Sequence, residues 1–459
     1  MFHPNTASRP FVAPNAASLR TRRRASARFD IHPTTIVLAL AVAVSISCCA
    51  SIARADETPV LRVDVGSDAP IGAPAVAVAG NGLTLAVWPA LASAGQVEVR
   101  ARWVIDDSPV GASFIVSSSP SPTHGAPQAR VIDGGDFLIV WRDGPALRWR
   151  RYDGATQVPG AEQSVALDET PESLAIASDG DLGAAWRVPS SATLQAARFD
   201  IAGVPLGGVF EITSQGVEPV LTLGAAESVV AWTRTGGDDF TTTSTVLVRR
   251  FDDLNQPLGS ELTVDSAVLQ SLPFEGEQVS RARPARALDG AMLLVWDHLL
   301  VDQTAAEYQT VRSAIYDPTG VELARDEVGP SGQFNDGTSQ ATIAETRGGS
   351  FVVLWNYWPF FSGERSFAAR RGAIGEPLQA RVVVSNARPM SSFSQTFDTA
   401  AATLGDEPRE DTVVWVSDDC GPGELRCLFL RRVPPTQVFT DGFESGDLGG
   451  WSSAIGDSP

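Results

Sequence analysis

From Ala73 onward the apolar residues fall in short bursts, and one kind of burst keeps returning. It is a nearly uninterrupted apolar run closed by Trp: "LTLAVW" at Trp88, "FLIVW" at Trp141, "LGAAW" at Trp186, "SVVAW" at Trp232, "MLLVW" at Trp296 and "FVVLW" at Trp355, with "TVVWV" carrying Trp415. The intervals are 53, 45, 46, 64, 59 and 60 residues. A self-similar period of this length is the signature of a repeat architecture, built from seven units.

Within a unit the pattern predicts four strands. A short apolar strand, as at Pro74, Pro127 or Pro171, leads into a turn such as Asp133-Gly134-Gly135, Asp179-Gly180 or Asp289-Gly290, residues that tolerate positive φ. The Trp strand follows, apolar throughout and so expected to be buried on both faces. The third strand alternates and ends on an aromatic residue: "VEVRARW", "LRWRRY", "LQAARF", "VLVRRF", "VRSAIY". A stereotyped turn ("FDIAG", "FDDLN", "YDPTG") leads to a more polar fourth strand. Seven such units predict an all-β fold, a seven-bladed β-propeller of four-stranded blades. The competing reading is two or three β-sandwiches with coincident Trp spacing. The seventh unit lacks a fourth strand, whereas "VLRVDV", Val60 to Val65, precedes unit one unpaired. The N-terminal strand is therefore expected to complete the last blade, close the ring and remove two open edges.

The first 55 residues do not share this pattern. Arg20, Arg22, Arg23, Arg24 and Arg28 precede an apolar run from Ile36 to Ala53, and Ala53 and Ala55 precede Asp56 and Glu57. This is the layout of a Sec-type signal peptide cleaved after Ala55, the alternative being an uncleaved membrane anchor. The expected organisation is a signal peptide over 1–55, the propeller over 56–433, and a linker with a tag-like tail over 434–459. The whole chain carries a net charge of −19; beyond Ala55 there are 28 Arg against 53 acidic residues, near −25, and no Lys. Such a surface repels phosphate backbones and anionic headgroups, which argues against nucleic-acid and peripheral membrane binding. Beyond the leader Cys420 and Cys427 form an even pair, read as a disulfide in an exported protein.

Candidate chemistry is sparse. His124 and His298 fall in predicted loops of different units, no catalytic triad assembles, and neither a phosphate-binding nor a dinucleotide motif is present. No metal or other cofactor is expected. Arg142, Arg187 and Arg234 follow the Trp of three successive units and suit either a carboxylate clamp or the capping of a strand end. The stretches joining strands two and three, and one unit to the next, are long: Thr233–Thr245, Asp265–Arg283, Asp297–Thr310, Pro330–Thr338 and Asn356–Ser366. They read as irregular loops on one face, where binding is usually built. One carries Tyr357, Trp358, Phe360 and Phe361, either a contact for a sugar or protein or a plug for the central channel.

The apolar-Trp strand, the Arg-aromatic-Asp phrase, the Gly turn and the Leu-Gly phrase together resemble propeller-like repeats of large exported bacterial proteins. The resemblance covers nearly all of Ala73 to Val433, more loosely in units five to seven. The tail "VFTDGFESGDLGGWSS", Val438 to Ser453, resembles a C-terminal phrase of exported Gram-negative proteins and implies a modular tag; a remnant of an appended β-domain after Pro434-Pro435 is the alternative. "DGDLGAAW", Asp179 to Trp186, resembles the Asp-box of sialidases at Asp181, Gly183 and Trp186, but once only and without its Ser and Thr. The expectation is an exported, monomeric binding module for a glycan or another exported protein. The alternatives are a glycan-active, sialidase-like hydrolase and a structural cell-surface protein.

Overall fold

The computed structural model describes residues 61–64, 69–93, 95–106, 108–224, 227–238, 240–271, 274–286, 290–301, 307–327, 337–345, 351–358, 365–371, 382–383, 396–403, 411–417 and 426–433. The leader over 1–55, Cys420, Phe360, Phe361 and the tail over 434–459 lie outside them.

The described chain is all-β, without a helix, and its sheets are antiparallel strands in sequence order. The first sheet holds Ala75–Val78, Thr84–Ser93, Gln96–Ile105 and Ser108–Ile115; the second Gln128–Val131, Phe137–Asp143, Ala146–Tyr152 and Gln163–Ala166; the third Ser173–Ile176, Leu182–Arg187, Leu194–Phe199 and Phe210–Thr213. Twelve further strands, Val217–Leu223 to Val382–Val383, form one larger sheet. It falls into three runs of four consecutive strands. The first run passes to the second through a hairpin pairing Leu269 with Gly276, and the second to the third through a single parallel pairing of Gln309 with Gly337. The last sheet combines Thr396–Thr403, Asp411–Ser417 and Cys427–Val433 with the N-terminal Leu61–Arg62, which pairs antiparallel with Leu430 and Phe429. Val63 N also donates to Leu428 O at 2.8 Å.

The period of two along each Trp strand sorts its side chains between two neighbours. Phe137, Ile139 and Trp141 pack on the first sheet, whereas Leu138 and Val140 pack on the third. Trp186 packs back on the second sheet, Trp232 on the third, Trp296 on the preceding run and Trp355 on the run before it. Trp88 packs with Val414, Val416, Leu428 and Leu430 of the last sheet. All six indoles are fully buried, and in all but Trp88 the cover comes from the sheet or run that precedes it in the chain. The side chain of Trp415 lies outside the described residues.

The recurring Phe-Asp or Tyr-Asp turn has a hydrogen-bond explanation. The carboxylates of Asp200, Asp252 and Asp317 each accept the backbone N–H four residues on, from Val204, Gln256 and Val321, at 2.7–2.9 Å. The intervening Gly203, Asn255 and Gly320 take positive φ, which is why Gly or Asn recurs there. The Arg before the aromatic residue reaches back to an acid at the start of the Trp strand: Arg151 to Asp136, Arg198 to Asp181 and Arg250 to Glu227.

Two expectations need correction. The stretches 233–245, 265–283 and 297–310 are not irregular loops. Strands run on through most of each, as in the pairing of Glu227–Gly237 with Thr241–Asp252 and of Met292–Val301 with Glu307–Tyr316. In 356–366 the strands likewise continue to Trp358 and resume at Arg365. The hairpin at 233–245 is polar, so its ladder rather than apolar alternation marks it, whereas Ala267, Val279 and Ala282 of the next stretch join the buried core. His298 is accordingly a strand residue, buried, with Nε2 3.1 Å from Glu277.

Candidate functional site

A cavity of about 310 Å³ lies where the inner strands of successive units meet. Its lining comes from unit two (Gln128, Arg142), unit three (Pro171, Glu172, Ser173), unit four (Pro219 to Thr222), unit five (Arg283, Pro284) and unit six (Ile343). Arg142 ends the second strand of its unit, while Glu172 immediately precedes the first strand of its own. The cavity therefore sits toward the end of the units that carries the extended hairpins.

The inner strands present a free edge here, and side chains from neighbouring units satisfy it. Arg142 Nη1 donates to Pro171 O at 3.0 Å and Arg130 Nη1 to Ile176 O at 3.0 Å, linking units two and three. Leu221 N donates to Ser173 Oγ at 3.1 Å, linking three and four; Thr222 Oγ1 donates to Pro284 O at 2.8 Å, linking four and five. Three lining positions are Pro, which has no N–H to leave unpaired at such an edge.

The backbone beside the cavity is strained. The inner strand of unit four shifts register between Val217 and Val220, and that of unit five between Ser280 and Arg283. Glu218 and Arg281, inside the two bulges, each hold φ at 54°. Bulges re-aim side chains, and positive φ at a non-glycine residue carries a cost of about 1–3 kcal/mol. Arg281 N donates to Glu218 Oε2 at 3.3 Å across the two bulges, which lie next to the lining residues Pro219 and Arg283.

Arg142 is held from two sides. Pro171 O takes one hydrogen, and the stem and Nε lie so close over Gly125 that a Cβ there would collide with them. Of the other two expected arginines, neither lines the cavity. Arg234 Nη2 bonds Glu261 at 2.7 Å and Thr213 at 3.2 Å, and Arg187 buries its Nε at the end of Leu182–Arg187. Arg234 thus ties its own strand to the end of the third sheet and to the residue just before Leu262–Ser271. Tyr357 and Trp358 pair through their backbones with Thr338 and Gly337. Cys427 is buried at the start of Cys427–Val433, opposite Ser417.

Other polar clusters lie outside the cavity lining. Asp143 accepts the hydroxyls of Ser121 and Thr123 at 2.6 Å and Arg148 Nε at 2.8 Å, with His124 Nε2 3.8 Å away. Burial pushes the His124 pKa down; Asp143 lies low despite burial, through the Ser121 and Thr123 hydroxyls. Ser121 bonds Asp143 rather than His124, so no nucleophile–base pair forms; the cluster ties the 121–125 segment to the second sheet. Tyr316 donates to Glu322 at 3.1 Å on outer strands, and burial raises its phenol pKa, the reverse of what a nucleophilic tyrosinate needs. Asp181 of the Asp-box-like stretch pairs with Arg198, and its Trp186 is core. No cluster of three metal-ligating side chains occurs among the described residues. No helix among them is long and apolar enough to cross a membrane. Sequence reading missed Glu172, Arg283 and the bulges, since no motif marks them; Pro at the start of the inner strands was the one available signal.

No protein-family model and no curated protein matches the chain. Among solved structures it is similar to the β-propeller domain of the Trilobed protease from Pyrococcus furiosus, at 12% identity and a TM-score of 0.46, covering 79% of this chain and 95% of that one. It is also similar to an α-L-arabinanase of Penicillium chrysogenum complexed with arabinobiose, at 11% and 0.43 over 82% and 98%, and to the polysaccharide lyase Uly1, at 12% and 0.49 over 81% and 92%. These are distant likenesses of shape and carry no inference about the chemistry of this chain.

Proposed function

We propose that the chain is an exported binding module, a seven-bladed β-propeller closed by its N-terminal strand, which takes a small ligand into the channel cavity beside Arg142. Four observations support the architecture: the seven Trp units, the division of the large sheet into three runs of four, the packing of the first sheet on the last, and the pairing of Leu61–Arg62 with Cys427–Val433. The leader pattern supports export. The observation that carries the binding reading is the strained, polar cavity, where two bulged inner strands and an immobilised guanidinium meet at the end of the fold bearing the hairpins. Tyr357 and Trp358 belong to one of those hairpin segments and, with Phe360 and Phe361 of the same stretch of sequence, are proposed as a second contact for larger glycans or proteins.

Filling the cavity tests the reading. Gln128 lines it, is exposed, and sits on an inner strand. Gln128→Trp should leave thermal melting unchanged and abolish binding of any ligand found by calorimetric screening of sugars, small acids and peptides. Binding that survives the substitution places the site elsewhere. Turnover of chromogenic glycosides, abolished by Glu172→Gln, would replace binding by hydrolysis.

A further inference from the structure

We infer that the channel cavity recognises a small hydroxylated carboxylate, of about the size of one hexuronic acid. The inference rests on the cavity being the binding site and adds the class of its ligand.

Charge is the first argument. The chain is strongly acidic, yet the cavity is lined by Arg142 and Arg283 against the single described carboxylate of Glu172. A guanidinium set into the lining of an acidic protein attracts an anion to that point. Arg142 is also fixed in place. With one Nη1 hydrogen on Pro171 O and its stem against Gly125, the guanidinium needs little further ordering, and Nη2 has no partner among the described residues. A planar guanidinium so oriented matches a carboxylate better than an ammonium would.

The second argument is the hydrogen-bonding capacity left over. Ser173 Oγ accepts from Leu221 N, so its own hydrogen is free to donate. Thr222 Oγ1 donates to Pro284 O, so its lone pairs are free to accept. Glu172 is exposed, makes no ion pair among the described residues, and accepts only. This mixture of donors and acceptors suits ligand hydroxyls, which play both roles. The volume lies at the lower end of small-molecule sites, about 300–1,000 Å³, which fits one ring rather than a chain of them.

The test uses the full chain and titration calorimetry with glucuronate, galacturonate, glucose, acetate and a galacturonate trimer. Glucuronate or galacturonate should bind at least about tenfold more tightly than glucose or acetate, the effect of one charge-assisted contact to a held guanidinium. Arg142→Gln should erase that preference, and Arg142→Lys should fall between the two, with melting temperatures checked for each. Equal affinity for uronate and glucose, or a preference that survives Arg142→Gln, overturns the inference. A trimer that binds as tightly as the monomer shows that a chain end is the natural source; one that binds more than about tenfold more tightly contradicts the one-ring size. If the panel does not bind but another ligand does and Gln128→Trp abolishes it, the ligand class is wrong while the binding site stands. If no ligand is sensitive to Gln128→Trp, both fail.

Discussion

Asp64→Ala tests how far the N-terminal segment secures the last sheet. Asp64 is 3% exposed, and its Oδ1 accepts the backbone N–H of Leu428 at 2.8 Å. Its two oxygens also receive Arg62 Nε and Nη2, each at 3.2 Å. Leu428 is fully buried, so removing the acceptor strands a donor that water cannot readily reach. That costs about 1–3 kcal/mol. Releasing the partly exposed Arg62 adds no more than about 1 kcal/mol. The expected loss is therefore about 2–3 kcal/mol. In a domain this large about 1 kcal/mol moves the melting midpoint by only roughly 1–2 °C, by extension of the per-residue unfolding entropy. Amide exchange is the sharper assay. Leu428 and Leu430 should exchange faster in the variant by about tenfold or more, the local equivalent of that energy, while Val230 and Leu294 in the larger sheet stay protected. If Leu428 exchanges at the wild-type rate, the N-terminal segment contributes nothing to the last sheet and the closure reading goes with it.

Glu227→Ala should destabilise by about 3 kcal/mol or more, since it removes a buried acid from Arg250, at 2.6 and 2.8 Å, and from Arg286; denaturant titration measures it, and a loss below about 1 kcal/mol would show that solvent already screens the cluster. The Asp317 pKa lies below the usual carboxylate range because the Thr319 hydroxyl and the Val321 and Thr319 amides bond it. Its stabilising contribution is then complete above about pH 4 and is lost as pH falls through the lowered value, so Asp317→Asn should be less stable than wild type at neutral pH and converge with it in acid melts. Cys420 and Cys427 should give no free thiol in the denatured, unreduced exported protein, and reduction should cost about 2–3 kcal/mol for so short a loop; two titratable thiols would refute the pairing. Trp358→Ala should leave melting unchanged and weaken capture of a glycan or protein partner by about tenfold or more, whereas a collapse in stability would make the aromatic segment a channel plug.

The strand framework was legible because burial on both faces forces unbroken apolar runs, and the Trp at the end of each run fixes the phase. The hairpin extensions were not legible. Thr241 to Thr245 alternates no apolar residue, since backbone pairing and hydroxyl contacts, such as Val279 N donating to Ser244 Oγ, hold this ribbon. That blindness turned His298 and its neighbours into loop residues. The cavity was half legible. Arg142 was marked by its place after Trp141, but of its two companions at equivalent positions Arg234 is engaged by Glu261 and Thr213 and Arg187 does not line the cavity. Glu172 and Arg283 meet Arg142 only through the succession of units, and a bulge leaves no mark in composition.

The uniform direction of the indoles bears on the order in which the chain becomes protected as it is made. Each of Trp141, Trp186, Trp232, Trp296 and Trp355 is covered by a sheet that precedes it, so its cover already exists when it emerges. Trp88 is the exception, since its cover is Val414, Val416, Leu428 and Leu430. The first sheet must wait through more than 300 residues of synthesis with its largest apolar side chain bare. Trp103 and Trp149 also wait, but only for the next unit, since Phe137 and Tyr152 cover the first and Ile176, Leu182 and Ile201 the second. A nascent chain stalled between those units and Val414 would thus keep Trp88 bare throughout, a handle by which a chaperone or a protease tells an unfinished molecule from a finished one.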